Sequence, residues 1–380
     1  MLRIEMLPAE NGDCLWIEYG AAKERRRILI DGGTHGTYEA LRQRIEGQDE
    51  DERTFELLVI THIDNDHIDG IVRLLQNPQI GYRFRDIWFN GWPQLDDPEG
   101  DALGPVQGEY VAARIRSKRL PWNRNTGLPW SAMGDERAVV ISQKQKLPRI
   151  PLDGNLDLVL LSPTPDKLTR LRSKWESIVT DAEKDYPDPW SADDWLRQLE
   201  RDRRYRPDEN SDALGAAEPP DVEALLKVKT RSDGAAANGS SIAFLLEYEG
   251  KRCLLAGDAH PRVLVDSLEL YLAEKGLERL PVDAFKLSHH GSKHNVSKRL
   301  LDLLDCPRYL ISKDSSGSRH RHPDDEAMAR VLAYGGDDKV LLFNYRVDQT
   351  TKWVDADLRD AYGYRPRYPA RGRAGIAVEL

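Results

Sequence analysis

The stretch Thr61-His62-Ile63-Asp64-Asn65-Asp66-His67-Ile68-Asp69-Gly70 places two imidazoles and three carboxylates within eight consecutive positions. It directly follows the apolar run 55–60, which predicts a buried strand. A strand that ends in this pattern directs histidine and aspartate side chains toward a common point, as the ligands of a metal ion are directed. The sequence therefore predicts a metal centre here, and a solvated charged turn is the alternative.

Other predicted strands also end in polar motifs. The run 27–30 leads to Asp31-Gly32-Gly33, and strand 252–255 leads to Ala256-Gly257-Asp258. Strand 284–287 ends in Ser288-His289-His290-Gly291-Ser292, and strand 309–312 precedes His322-Pro323. Because successive strands each end in side chains that can bind a metal, the chain is predicted to be a strand-rich α/β layered structure.

Length and composition set the class of protein. The chain has 380 residues, of which 40% are hydrophobic and 31% charged, as expected for a globular α/β protein with a sizeable core. No apolar run approaches the roughly 18 residues of a membrane span, and no signal peptide is recognisable at the N-terminus. We therefore expect a cytoplasmic protein with no membrane partner.

Charge and cysteine content exclude further classes. The net charge of −9 argues against broad, non-specific coating of nucleic acid, although a carboxylate-rich metal site is compatible with a nuclease. Cys14, Cys253 and Cys306 are widely spaced and form neither a CxxC motif nor a disulfide framework, and Cys253 lies in an apolar strand. We expect no disulfide.

Two regions interrupt the strand pattern, at about 91–150 and 164–236. The first carries Trp92, Trp122 and Trp130 and the basic run Arg114 to Arg119, and the second carries Trp175, Trp190 and Trp195. We predict that both are irregular or helical insertions that cover or flank the site. The alternative is that their tryptophans only form small cores within the insertions.

With these residues in place, the chain resembles the metallo-β-lactamase-fold hydrolases, and most closely the hydrolase domain of the competence DNA-uptake channel proteins (ComEC type). The resemblance covers about residues 1–90, 152–163 and 238–345. It rests on pieces that occur in the family's order: Gly12-Asp13, Leu29-Ile30-Asp31-Gly32-Gly33, His62-x-Asp64-x-Asp66-His67, Ser162-Pro163, Asn238-x-x-Ser241, Leu254-Leu255-Ala256-Gly257-Asp258, Lys286-x-x-His289-His290-Gly291-Ser292 and His322-Pro323.

The resemblance implies an αββα sandwich over residues 1–350 with the two insertions, followed by a separate basic and aromatic segment, 351–380. It also implies the metal ligands: His62 and Asp64 for one ion, Asp66 and His67 for a second, Asp258 between them, and one histidine of the pair His289 and His290. Asp31 would be a supporting carboxylate that contacts a ligand and does not bind the metal itself.

The sequence departs from the family's pattern at two ligand positions. Many members have histidine where Asp64 stands, and a histidine ligand near the position of Asn238. These departures replace nitrogen donors by oxygen. The resemblance, so modified, implies two divalent metal ions, with manganese favoured over zinc.

The resemblance places His322 beside the scissile group, where it could bind a phosphate oxygen or donate a proton to the leaving group. Asp66 and His322 are thus the predicted catalytic residues. Asn238, Ser240 and Ser241 would offer neutral hydrogen bonds to the substrate, and Lys286 a cationic one. The alternative for Asn238 and the serines is that they cap the turn into the next strand.

The segment Leu358 to Arg373 interleaves five arginines with Tyr362, Tyr364 and Tyr368. Arginine with stacking aromatics is typical of a surface for single-stranded nucleic acid, and equally of a tail packed on its own domain or on a protein partner.

Two metal ions can lower the pKa of a shared water and stabilise charge on an ester oxygen. We therefore expect a phosphodiesterase or nuclease that acts on DNA, RNA or a nucleotide. The alternatives are a small-molecule metallohydrolase for an amide, a lactone or another ester, and a metal-binding subunit of a larger nucleic-acid-processing or defence complex.

Overall fold

The structure, a computed structural model of the chain, describes residues 1–91, 106–124, 138–144, 146–173, 175, 219–314 and 321–380. Two large sheets dominate this part of the chain. The strands of the first are β1 (Leu2–Met6), β2 (Leu15–Tyr19), β3 (Arg26–Ile30), β5 (Leu57–Val59), β7 (Ile87–Trp88) and β18 (Ile376–Glu379), and their order across the sheet is β18-β1-β2-β3-β5-β7.

The second sheet has eight strands: β8 (Arg149–Leu152), β9 (Leu156–Ser162), β10 (Ala243–Tyr248), β11 (Lys251–Leu255), β13 (Ala284–Lys286), β15 (Arg308–Ile311), β16 (Lys339–Phe343) and β17 (Tyr364–Arg367). Their order is β17-β16-β15-β13-β11-β10-β9-β8. Two short pairs complete the strands: β4 (Thr54–Phe55) with β6 (Arg83–Phe84), and β12 (Leu280–Pro281) with β14 (Leu304–Asp305).

The helices are α1 (Thr37–Glu46), α2 (Asn65–Gln76), α3 (Val106–Ser117), α4 (Val222–Leu226), α5 (Ala236–Gly239), α6 (Pro261–Lys275), α7 (Lys298–Asp302), α8 (Asp325–Tyr334), α9 (Asp348–Thr351) and α10 (Ala356–Tyr362). Short 3-10 helices span Glu50–Glu52, Pro78–Ile80, Ser288–Gly291 and Lys352–Val354. No helix in the described ranges is long and apolar enough to cross a membrane.

The sheets face each other, and helices cover their outer faces. Because side chains alternate along a strand, Leu158 and Leu160 of β9 join the core between the sheets, whereas Val159 and Leu161 join the core beneath α6, α7 and α8. The first sheet alternates in the same way, and its outer face packs against α1, α2 and α3. The predicted α/β sandwich is confirmed.

Parallel strands bring the polar motifs to one region. In the first sheet β3, β5 and β7 are parallel, and in the second β11, β13, β15, β16 and β17 are parallel. The carboxyl ends of parallel strands lie at the same edge of a sheet, which is where α/β proteins commonly place their sites. Asp31, the 61–70 stretch, Asp258 and the His289-His290 pair all follow such strands.

One predicted element differs from that observed. The run 55–60 is divided between β4 and β5 at Glu56, whose carboxylate binds Arg26 and Arg85. Helix α2 begins within the 61–70 stretch, at Asn65, and the Asp64 carbonyl accepts hydrogen bonds from the amides of His67 and Ile68. Asp66 and His67 therefore lie in the first turn of α2.

The segment 351–380, set apart in the sequence analysis, contributes β17 to one sheet and β18 to the other. Tyr364 is buried and donates a hydrogen bond to the carbonyl of Trp353. Tyr368 stacks on Phe343, with ring centroids 5.2 Å apart. These two tyrosines therefore pack on their own domain, which was one of the alternatives for this segment.

The described parts of the two insertions also pack on the sandwich. Helix α3 lies against α2, and Trp175 is fully buried in the same core. Trp122 stacks on Phe89 of the main body. Trp92, Trp130, Trp190 and Trp195 lie outside the described residues. All three cysteines are free and buried.

Candidate metal centre

Asp31 orients His67. It follows β3 in a left-handed backbone conformation, with φ of 57°, and accepts hydrogen bonds from the amide and the hydroxyl of Thr61. Its Oδ2 also lies 2.8 Å from Nδ1 of the buried His67. A carboxylate at Nδ1 holds the proton on that nitrogen, so the lone pair of Nε2 faces the opposite side.

Two groups of metal-binding side chains share His67. The first consists of His62, His67 and Asp258, all buried, and the second of Asp66, His67 and His290; in each group the candidate ligand atoms lie within 4.8 Å of one another. Nε2 of His67 is 3.4 Å from Oδ1 of Asp258, and Nε2 of His290 is 3.4 Å from Oδ2 of Asp66. The described residues thus contain two overlapping sites that could each hold a metal ion.

Several atoms of these groups are buried without a hydrogen bond. Among the described residues none donates to or accepts from Nε2 of His62, Nε2 of His67, Oδ1 of Asp258 or Nε2 of His290. Buried polar atoms are normally satisfied, so this many in one place require an explanation. A divalent cation would satisfy imidazole nitrogens and carboxylate oxygens at once, and the residues present therefore fit the metal that the sequence predicts.

The charges of the site also favour a cation. Burial opposes ionisation of Asp258, but the histidines His67, His289 and His290 hold its pKa well below the usual range. Conversely, burial disfavours a charged His67, yet Asp258, Asp31 and Asp66 raise the pKa of that ring well above its usual value. The carboxylates thus stabilise positive charge in this pocket, and a metal ion must displace a proton to bind.

His290 belongs to the second group, and its neighbour His289 lies beside Asp258 of the first. Both residues and Gly291 adopt left-handed backbone conformations, with φ of 49°, 53° and 85°. The tight turn directs Nε2 of His290 to Asp66 and Nε2 of His289 to Oδ2 of Asp258, 3.6 Å away. The sequence left open which of the two is a ligand, and the geometry brings both to the site.

Each of these histidines has a carboxylate beside its Nδ1, the ring nitrogen that points away from the candidate ligands. Nδ1 of His290 is 3.3 Å from Oδ1 of Asp13, whose Oδ2 accepts a hydrogen bond of 2.7 Å from Lys286. Burial opposes a charged Asp13, but Lys286 and His290 lower the pKa of this carboxyl far below its usual value. Lys286, predicted to bind substrate, is instead buried in an ion pair with Asp13.

Asp233 is the carboxylate beside Nδ1 of His289. Oδ2 of Asp233 is 3.5 Å from Nδ1 of His289, and it accepts hydrogen bonds from the side-chain amides of Asn238 at 2.7 Å and Asn295 at 3.0 Å. Burial works against a charged His289, but Asp258 and Asp233 raise its pKa to about 9. Asn238 thus belongs to the network that orients His289.

The two serines and Asp64 have different surroundings. Ser240 donates to the carbonyl of Ala237, in agreement with the capping alternative. The buried Ser241 places its hydroxyl 3.2 Å from both Nδ1 of His62 and the amide nitrogen of Asp258, so it contacts two metal-binding residues. Oδ2 of Asp64 lies 3.5 Å from Nε2 of His62, and its side chain is 45% exposed, which leaves it accessible from solvent.

His322 borders the metal-binding residues. Its ring centroid is 5.0 Å from that of His289, and its Nδ1 lies 3.4 Å from Oδ2 of Asp324. Burial and, to a smaller extent, Lys313 outweigh the effect of Asp324 and lower the pKa of His322 to about 4. The ring is therefore neutral at physiological pH.

All the predicted site residues thus lie in one region, although Lys286, Asn238 and Ser240 use their polar groups within the protein. Asp13 and Asp233, which lie against His290 and His289, and Lys313 were not among the predicted site residues. Asp13 precedes a strand in one of the quoted motifs, and Lys313 follows β15 as the ligands follow their strands, so both carried a signal. Asp233 lies in a polar stretch with no such signal.

Comparison with known proteins gives one family match and several similar solved structures. Residues 7–118 match the model of the Metallo-beta-lactamase superfamily. Similar solved structures include the metallo-beta-lactamase fold protein YhfI from Bacillus subtilis, with 10% identity over 99% of this chain and 98% of that chain and a TM-score of 0.40. Human tRNase Z, short form, is 9% identical over 100% of this chain and 99% of that chain, with a TM-score of 0.39.

A variant of the CmlA beta-hydroxylase is 12% identical over 100% of this chain and 54% of that chain, with a TM-score of 0.37. No curated protein matches the chain. The segment that matches the superfamily model contains Asp31 and the whole 61–70 stretch. The closer resemblance to the competence DNA-uptake proteins stays a prediction.

Proposed function

We propose that the protein is a hydrolase that depends on two divalent metal ions and cleaves phosphodiester bonds in DNA, RNA or a nucleotide. The observation that carries this proposal is the pair of His/Asp groups that share His67 and contain buried ligand atoms without hydrogen bonds.

We assign the ligands from their contacts. Asp66, His67 and His290 would hold one ion. His62 and His289, with the more exposed Asp64 beside them, would hold the second. Asp258 would contact both, since its Oδ1 faces His67 and its Oδ2 faces His62 and His289. This set has more nitrogen donors than the sequence suggested, because it includes both histidines of the 289–290 pair. His289 lies beside Asn238, near whose position many family members have a histidine ligand. The set therefore suits zinc and manganese alike.

Divalent ions, when bound, supply an activated water and stabilise negative charge on phosphoryl oxygens. The protein's own residues do the rest. Asp31, Asp13 and Asp233 orient His67, His290 and His289, which keeps the ligand nitrogens directed at the site. A neutral His322 can hydrogen-bond a substrate oxygen without placing another positive charge in the pocket.

The test is hydrolysis of labelled single-stranded DNA, double-stranded DNA, RNA and a bis-aryl phosphodiester by metal-stripped protein reloaded with manganese or zinc. The Asp66→Ala protein, treated in the same way, is the control. Metal-dependent cleavage of a polymer that the control lacks would support a nuclease and identify its ion.

Turnover of the small diester alone would narrow the proposal to a nucleotide or small-molecule phosphodiesterase. If no phosphodiester is cleaved with either metal, the proposal is wrong, and amide, lactone and other ester substrates would be tested next.

A further inference from the structure

Lys313 lies beside the metal-binding residues, in a backbone that is held on both sides. It is the second residue after β15, and its amide donates a 2.9 Å hydrogen bond to Oδ1 of Asn344. Ser312 donates to the carbonyl of Gly12, and the amide of Asp314 donates to the carbonyl of Glu10. The same loop carries Asp13, so Lys313 is fixed next to residues that contact the site.

The burial of Lys313 is unusual for a residue with so few polar contacts. It is 5% exposed, and within the part of the chain that the structure describes only its backbone amide forms a hydrogen bond, to Oδ1 of Asn344. The other buried lysines in the described ranges are satisfied: Lys286 donates to Asp13, and Lys339 to the carbonyl of Tyr362. A lysine that is this deeply buried and makes no hydrogen bond or ion pair with the described residues destabilises a protein, and such residues are typical of functional sites.

Four nearby carboxylates favour the charged form of Lys313, which burial opposes. Burial lowers its pKa, and Asp66, Asp258, Asp314 and Asp13 act in the opposite direction. Asp66 and Asp258 are also metal-binding residues, and bound cations would neutralise them. In the metal-loaded protein Asp66 and Asp258 would then no longer offset the charge of Lys313, and an ammonium cannot itself be a metal ligand.

We propose that the ammonium of Lys313 binds an anionic oxygen of the substrate, a non-bridging oxygen of the phosphodiester, at the edge of the metal centre. This inference rests on the proposed function and adds to it the residue that recognises the charge of the substrate. A flexible lysine is suited to this task as a point charge for phosphate.

The experiment compares wild-type protein with Lys313→Met and Lys313→Arg, all metal-stripped and reloaded. Binding of inorganic phosphate is measured by calorimetry, turnover of the bis-aryl phosphodiester by steady-state kinetics, and metal content by elemental analysis. Lys298→Met is the matched control, since Lys298 lies on α7, is 56% exposed and pairs with Asp302.

We expect Lys313→Met to retain its metal and to weaken phosphate binding roughly ten- to a hundredfold, as for the loss of one charged hydrogen bond. The KM for the diester should rise to a similar extent, and Lys313→Arg should recover part of both losses. Thermal unfolding should occur at the same or a higher temperature, because methionine replaces an unpaired buried charge.

Unchanged phosphate affinity and KM in metal-loaded Lys313→Met would overturn the inference and leave the proposed function intact. Loss of metal in that variant would also overturn it. If wild-type protein cleaves no phosphodiester, the proposed function fails by itself, and the phosphate titration still decides whether Lys313 binds an anion.

Discussion

The carboxylate of Asp258 has one oxygen 3.4 Å from Nε2 of His67 and the other 3.6 Å from Nε2 of His289 and 3.8 Å from Nε2 of His62. This divided arrangement is suited to a ligand shared by two ions. Asp66, in contrast, belongs to only one of the two groups, in which it faces His290. His322 lies outside both groups.

Alanine variants should separate these roles. We expect Asp66→Ala and Asp258→Ala to abolish metal loading and activity, because each removes a charged donor from a buried site. His322→Ala should keep its metal and lose turnover, by roughly a hundredfold or more for a residue that contacts the reacting group. Elemental analysis and steady-state kinetics check both. Metal loss in His322→Ala would reassign His322 as a ligand.

Asp233 permits a second test at this scale. Asp233→Asn keeps the size of the side chain but removes the negative charge beside Nδ1 of His289. We expect metal affinity to fall by roughly ten- to a hundredfold, as for other carboxylates behind a ligating histidine. Titration with metal checks this. Asp305→Asn, on an exposed residue of β14, is the control, and equal affinities in the two variants would contradict a positioning role for Asp233.

At the scale of elements, α2 approaches the loop after β3 more closely than side chains would permit. The amide of Gly32 donates to the carbonyl of His67, and the amide of Gly70 donates to the carbonyl of Gly33. A Cβ on Gly70 would lie 1.9 Å from the carbonyl oxygen of Gly32. The missing side chain therefore allows the helix that carries Asp66 and His67 to pack against the loop that carries Asp31.

Gly70→Ala should lower the free energy of unfolding by about 1–3 kcal/mol or more, because the clash forces the helix and loop apart. Metal affinity should fall with it, since His67 and Asp31 move relative to each other. Denaturant unfolding and metal titration measure the two effects. Gly234→Ala is the matched control, because its Cβ would meet no atom within 4 Å. A Gly70→Ala protein as stable as this control would refute the close packing.

Glu247 of β10 connects elements through its carboxylate, which accepts hydrogen bonds from Arg149 of β8, Arg252 of β11 and Tyr271 of α6. Burial opposes its ionisation, but these three partners hold the pKa of Glu247 below its ordinary value of 4.5. A lowered folded-state pKa stabilises the fold above pH 4.5, and the contribution is lost as the pH falls through the folded-state value.

Glu247→Gln should therefore be less stable than wild type at pH 7, and the difference should shrink as the pH is lowered from about 4.5 toward 3. Urea unfolding at a series of pH values measures it. Glu274→Gln, on the exposed side of α6, removes the same charge without the partners and should show no such convergence. A constant difference for Glu247→Gln would show that its partners do not favour the charged form.

At the scale of the whole molecule, residues 364–367 and 376–379 extend both sheets, so the C-terminal segment is part of the sandwich. Its residues have two environments. Tyr364 is buried, whereas Arg365 and Arg367 on the same strand are exposed. The buried tyrosine packs within the fold, and the exposed arginines are the part of the segment to which the nucleic-acid alternative still applies.

Two variants distinguish these environments. Tyr364→Ala should reduce the free energy of unfolding by about 3 kcal/mol, as for other buried aromatic side chains. The double variant Arg365→Ala, Arg367→Ala should unfold at the wild-type temperature but bind single-stranded DNA more weakly, with a smaller dependence on salt. Thermal melts and titrations at several salt concentrations test both. Unchanged DNA affinity would remove these arginines from the nucleic-acid surface.

Much of the fold and of the site could be predicted, because the informative residues are close in sequence. The 61–70 stretch and Asp258 were predicted as ligands from residue types at strand ends, and the structure brings them together. The division of strand 55–60 at Glu56 could not be predicted, since it depends on ion pairs with the distant Arg26 and Arg85. The ion pair of Lys286 with Asp13 could not be predicted for the same reason.

The sequence by itself determined which chemical groups are available and the order in which strands deliver them, since both depend on residue type and on local periodicity. The tertiary structure alone decided how those groups are paired. Lys286 is 273 positions from Asp13, and only the sheet order brings them together. The approach of His290 to Asp66 and of His289 to Asp258 likewise depends on contacts between distant parts of the chain, which no local pattern encodes.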